Sequence, residues 1–110
     1  KELLQNFKKG TSIALMIDQR VSEGISVNLF SEKALTTTIP SQFVKKFGTK
    51  IIPVYIERNE VENFKITFHK PLEFPQNLSL DLITSKLNTV LEEMIKKNPG
   101  QWIWSHNRWK

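Results

Sequence analysis

The chain of 110 residues contains no cysteine, which excludes a disulfide framework, a thiol nucleophile and a thiolate metal site. Histidine is nearly as scarce. His69 and His106 stand far apart, and neither has a partner at the His-Glu-x-x-His spacing that puts two ligands on one helix face. Packing or surface roles suit both better than catalysis, and no metal and no cofactor is expected. The four glycines are scattered, so no glycine-rich loop is available to cradle a phosphate, and no Gly-x-Ser-x-Gly elbow presents a nucleophile. Long apolar runs are missing as well: the longest uninterrupted one covers 13–17, against the roughly 20 residues that a membrane span requires. No signal peptide is visible. Because the chain opens on Lys1 within a helical pattern, it is expected to be an excerpt of a longer protein, with any membrane anchor outside it.

What is present is basic and globular. The formal net charge is +5, a balance that favours anionic partners, whether nucleic acid, acidic protein, phospholipid surface or phosphorylated substrate, without choosing among them. The length suits one domain over residues 1–110 with a single core. Leu3, Leu4 and Phe7 share one face of an opening helix that stops at Gly10. The apolar run 13–17 reads as a strand buried on both faces, ended abruptly by Asp18. Residues 19–33 read as loop, with a short alternating piece at 25–27. Pro40 opens a helix that Gly48 terminates, with Phe43, Val44 and Phe47 as its apolar side.

A second buried strand spans 51–56, where Pro53 demands a bulge or an exposed edge. The alternation of Phe64, Ile66 and Phe68 marks a half-buried third strand. From Leu80 to Ile95 the apolar residues follow helical spacing; Ser79 or Asp81 caps the start, and Asn98-Pro99-Gly100 stops it. A strand, a crossover helix and a strand in succession predict a right-handed parallel unit. The class is α/β, a partial mixed sheet with flanking helices, completed by strands outside the chain.

Open α/β sheets bind ligands beyond the carboxyl ends of their parallel strands. That rule singles out Asp18 after the first strand, Arg58 after the second, and Thr36 with Thr37 and Thr38 where the crossover helix begins. Asp18 suits holding a catalytic partner or a substrate hydroxyl, or else capping a turn. The planar fork of Arg58 suits a phosphate, although a surface salt bridge with Glu57 or Glu60 is the commoner fate of such a residue. The threonines suit an anion at a helix start or plain N-capping. Lys8-Lys9, Lys45-Lys46 and Lys96-Lys97 each fall at a helix C-terminus. Dipole complementation accounts for all three pairs and weakens the case for a dedicated nucleic-acid patch.

The last ten residues carry all three tryptophans, interleaved with Arg108 and Lys110. Such a stretch stacks on nucleic-acid bases, or sits in a membrane interface, or closes the core while Arg108 and Lys110 stay in water. Read from Pro99 to Lys110, Pro-Gly-Gln-Trp-Ile-Trp-Ser-His-Asn-Arg-Trp-Lys resembles the closing signature of the bacterial lipid A biosynthesis (lauroyl/myristoyl) acyltransferases, Pro-Glu-Gln-Trp/Tyr-x-Trp-x-His-Arg-Arg-Trp/Phe-Lys. Asp18-Gln19, Gly24 and Leu29-Phe30-Ser31 resemble that family's Asp-Gln, Gly and Phe-Phe-Gly block. Ala34 and Thr36 match its Ala-x-Thr, and Pro53 and Arg58 resemble its strand ending in Arg. Leu29, Ser31, Gly100 and Asn107 stand where the pattern has Phe, Gly, Glu and Arg.

The resemblance implies the C-terminal portion of an acyltransferase-type α/β domain. It implies transfer of a fatty acyl group from acyl carrier protein to a hydroxyl of a Kdo-linked lipid A precursor, in lipopolysaccharide biosynthesis, at the cytoplasmic face of the inner membrane, with that membrane surface as a partner and no nucleic acid. It further implies a general base, a His separated from an acidic residue by four others. Phe74 occupies the acidic position after His69, and only four residues follow His106. The base is therefore expected N-terminal to Lys1, with no catalytic residue in this chain and the chain inactive alone, while Asp18, Thr36 and Arg58 line the substrate side. Two other readings stand beside it: a non-catalytic basic module that binds nucleic acid, and a related glycerolipid acyltransferase.

Overall fold

The computed structural model describes residues 2–59 and 62–109. The described residues build three α-helices, two short 3-10 turns (Pro99–Gln101 and Trp104–His106) and two antiparallel strand pairs. Helix α1 (Glu2–Lys8) has an acidic first turn and a basic last one, as the helix dipole favours, and ends where Gly10 takes a φ of 88°. Its Phe7 ring meets Phe43 edge-on at 4.8 Å and Phe47 at 5.1 Å, so one aromatic trio fastens α1 to the helix that follows.

Strands β1 (Ile25–Leu29) and β2 (Glu32–Thr36) form a hairpin, with Leu29 opposite Glu32 and Ile25 opposite Thr36. The two residues between them, Phe30 and Ser31, both have positive φ, 51° and 66°, as a two-residue hairpin turn with the right-handed twist of its strands requires. Asn-Gly or Gly-containing pairs normally announce such a turn. Phe-Ser does not, and most of this hairpin was expected as loop. Two contacts offset the unfavourable backbone: Phe30 N–H donates to Glu92 Oε1 at 2.7 Å, and its ring lies 6.0 Å from Trp104. Ser31 is also the position where the family pattern has Gly, the residue best suited to a positive φ.

Helix α2 (Ile39–Phe47) opens with Pro40 in its first turn and closes at Gly48, left-handed at φ 63°, whose N–H donates to Val44 O. Strands β3 (Val54–Arg58) and β4 (Phe64–Phe68) pair with Val54 opposite Phe68 and Arg58 opposite Phe64. Helix α3 (Leu80–Lys97) is capped by Ser79, whose hydroxyl accepts from Leu82 N–H at 3.2 Å. Its Ile83, Leu87, Leu91 and Ile95 recur every four residues and are buried. They feed two clusters, one with Leu29 and Ala34 of the hairpin, the other with Val44 of α2; Ile17 packs against both. Ser41 and Thr84 share a buried 2.7 Å hydrogen bond where α2 meets α3.

The α/β class is borne out; the parallel pairing is not. Both sheets are two-stranded and antiparallel. Residues 13–17, expected as a doubly buried strand, form no backbone hydrogen bond among the described residues, and Met16 is 77 % exposed. An apolar run supplies side chains for a strand, but a strand also needs a neighbouring ladder, and β1 and β2 satisfy each other locally. The second strand likewise starts after Pro53 and is exposed on one face. Val54, Ile56, Phe64, Ile66 and Phe68 all point to that face and are exposed. Such a patch drives association. Ile66→Lys should therefore weaken self-association of the 110-residue chain in analytical ultracentrifugation, while stability changes by no more than about 0.5 kcal/mol. Undiminished association would assign it to another surface.

Candidate functional site

The side chains of interest gather at the C-terminal end of β2. Thr36 is 1 % exposed. Opposite it in the register is Ile25, and Gly24 just before presses its backbone onto the Thr36 peptide: a Cβ at position 24 would lie 2.5 Å from the Thr36 carbonyl oxygen. The Thr36 hydroxyl donates to Ala34 O at 3.2 Å and accepts from Arg108 Nη2 at 2.8 Å and from Asn88 Nδ2 at 3.1 Å. One donation and two acceptances exhaust a hydroxyl. Thr36 is therefore an anchor inside the protein with nothing left for a ligand. Nor does it cap α2: Thr38 occupies the cap position without a side-chain cap bond, and it is Thr37 Oγ1 that accepts from Ile39 N–H at 3.3 Å.

Arg108 was expected in water and is instead 1 % exposed. Its guanidinium donates through Nη1 to Leu35 O and through Nη2 to Thr36 Oγ1, and its Nε has no partner. Burial pushes this group below its usual range; the Asp18 carboxylate opposes that shift, and Arg20 adds to it. Asp18 is thus an electrostatic neighbour of the buried cation. Asn88 completes the centre from α3, donating also to Asn28 O at 2.9 Å and leaving its Oδ1 without a partner. Thr36 meets a residue expected in water, and Asp18 acts on that residue through its charge.

Arg58 is held by a different set of contacts. The Gln101 side-chain amide accepts from Arg58 N–H and donates to Arg58 O, both at 2.8 Å, as a neighbouring strand would. The exposed guanidinium lies 5.7 Å from the Phe64 ring centre. Among the described residues it pairs with no carboxylate: Glu57 stands 4.0 Å from Lys65, and Glu60 lies outside them. Arg58 lines a shallow depression with Ile56, Phe64, Gly100 and Gln101. Asp18 and Arg58 do not arrive from neighbouring parallel strands, because Asp18 follows an unpaired segment and β3 pairs with β4 alone among the described residues. What connects the two is the tail, which reaches Arg58 through Gln101 and Thr36 through Arg108.

That tail is a packed block. Trp102 and Trp104 meet edge-on at 4.6 Å, and Trp104 stacks on Trp109 at 6.4 Å. Trp102 and Trp109 lie against the Leu29 cluster, and Trp109 Nε1 donates to Leu29 O at 3.1 Å. Core closure is the role Trp102 and Trp109 take, whereas Trp104 is exposed; Lys110 lies outside the described residues. Gln101 and Asn88 were missed. Asn88 had a signal, a polar residue on the apolar stripe of α3 between Thr84 and Leu91, and Gln101 had one in the tail, where it matches the Gln of the closing signature. Of the histidines, His69 has a buried Nε2 without a partner and lies away from this centre in the chain. No group of acidic and histidine side chains that could hold a metal, and no helix long and apolar enough to cross a membrane, occurs among the described residues.

No match was found among curated proteins. The family model for bacterial lipid A biosynthesis acyltransferases matches residues 1–110, the whole chain, and the chain belongs to that family.

Proposed function

We propose that this chain serves transfer of a fatty acyl group from acyl carrier protein to a hydroxyl of a Kdo-linked lipid A precursor, at the cytoplasmic face of the inner membrane. The observation that carries the reading is two polar groups left accessible at separate places in the fold. Asp18 sits partly exposed beside the buried Arg108 cation, and Arg58 offers an exposed guanidinium with no carboxylate partner among the described residues. A fork of that kind suits a phosphate or another anionic group of the acceptor. A carboxylate there suits accepting a hydrogen bond from the acceptor hydroxyl or from the group that deprotonates it. Thr36 supports this edge from within. His69 has Phe74 where the general base of this reading requires an acidic residue.

Acyl transfer by the intact protein to the Kdo-linked precursor tests this directly. Arg58→Ala should lower kcat/KM by roughly 10- to 100-fold, the effect of losing a hydrogen bond to a charged group. The fold should survive, because Gln101 holds the Arg58 backbone and not its side chain. Unchanged transfer would remove Arg58 from the substrate side. Transfer to a glycerolipid acceptor instead would change the substrate class. Salt-sensitive binding of single-stranded RNA without any transfer would favour the nucleic-acid module, a reading that the engagement of Trp102 and Trp109 with the core counts against.

A further inference from the structure

The tail meets the proposed substrate edge at two points, and each meeting is polar and specific. Gln101 takes both backbone groups of Arg58 with one side-chain amide. Arg108 takes the Leu35 carbonyl and the Thr36 hydroxyl with one guanidinium. Between the two lie Trp102 and Trp104, locked to one another and to Trp109. A rigid aromatic block with a polar hand at each end fixes the separation of whatever the hands hold. Three features show that packing alone does not explain it. A planar amide satisfying both groups of one residue sets the direction of that residue's side chain, since the backbone it fixes carries the Cα–Cβ bond. Burying a guanidinium without a contacting carboxylate is costly, and the same ring packing needs no charge. The hydroxyl that Arg108 grips is saturated, so Arg108 has one defined position on β2.

We propose that Gln101 is a positioning residue: it aims Arg58 at the anionic group of the acceptor, while Arg108 anchors the far end of the same tail to β2. Neither touches substrate. The inference rests on the acyl-transfer reading above, and it adds that the direction of Arg58 is set by the tail.

Gln101 is exposed, so Gln101→Ala is the discriminating variant. In the intact protein it should keep the wild-type melting temperature and raise KM for the Kdo-linked precursor roughly tenfold, with a smaller change in kcat, as expected when an anchoring group is misdirected. In an Arg58→Ala background the same substitution should have no further effect, because nothing is left to aim. Arg108→Lys, which keeps the charge and loses the fork, should loosen the anchor of the tail and raise KM in the same direction as Gln101→Ala. Wild-type protein that transfers no acyl group to the precursor would overturn the underlying reading. Wild-type protein that transfers, with Gln101→Ala unchanged in KM or additive with Arg58→Ala, would overturn the clamp. A Gln101→Ala effect confined to melting temperature would reduce the tail to a structural brace and overturn it equally. If Arg108→Lys fails to fold, the Gln101 and Arg58 cycle still decides.

Discussion

Gly24→Ala should lower the melting temperature of the protein by roughly 10–20 °C, corresponding to about 2–3 kcal/mol of overpacking. The added methyl group would stand 2.5 Å from the Thr36 carbonyl oxygen, 2.7 Å from its carbon and 2.8 Å from the Thr36 nitrogen. All three are backbone atoms at the end of β2, so no side chain can swing aside. Relief requires β1 and β2 to part where Ile25 faces Thr36. That movement would carry the Thr36 hydroxyl off Arg108 and Asn88 and leave buried donors without acceptors. Differential scanning calorimetry measures the shift. A change of less than about 2 °C would mean that the loop before β1 yields freely and that the Gly24 contact is not a constraint.

Leu29→Ala should cost about 3–4 kcal/mol, within the range for emptying a buried leucine site. Leu29 is fully buried, and Ala34, Leu91, Ile95, Trp102 and Trp109 surround it. The neighbours most able to move into the void are the tryptophans, which belong to the tail. Stability should therefore fall together with order in the tail. Near-ultraviolet circular dichroism from the tryptophans should weaken in the native state, before any unfolding transition. Against a typical stability of 5–15 kcal/mol this loss lowers the folded-to-unfolded ratio by a few hundred-fold. Chemical denaturation gives the first quantity and the spectrum the second. A loss under about 1 kcal/mol with an unchanged spectrum would place the centre of the core elsewhere.

The helices were legible because their determinants are local. Pro40 and Gly48 bracket α2, and Ser79 with the stripe from Ile83 to Ile95 defines α3; each is a matter of spacing within a turn or two. The hairpin escaped notice because its turn is Phe30-Ser31, held at positive φ by Glu92 and Trp104, residues more than sixty positions away. Asp18, Thr36 and Arg58 stood out by type and by their place after apolar runs, but the geometry used to join them assumed parallel strands, and the strands are antiparallel.

By itself the sequence determined the α/β class, the three helices, the basic surface and, through the tail, the acyltransferase family. Tertiary structure alone decided which strands pair, that Arg108 is buried on Thr36 beside Asp18, and that Gln101 holds Arg58. The reason is range. Helical periodicity and capping are properties of neighbouring residues, whereas a strand's partner and a buried cation's environment come from segments forty to seventy positions away, and no local pattern encodes which segments will meet.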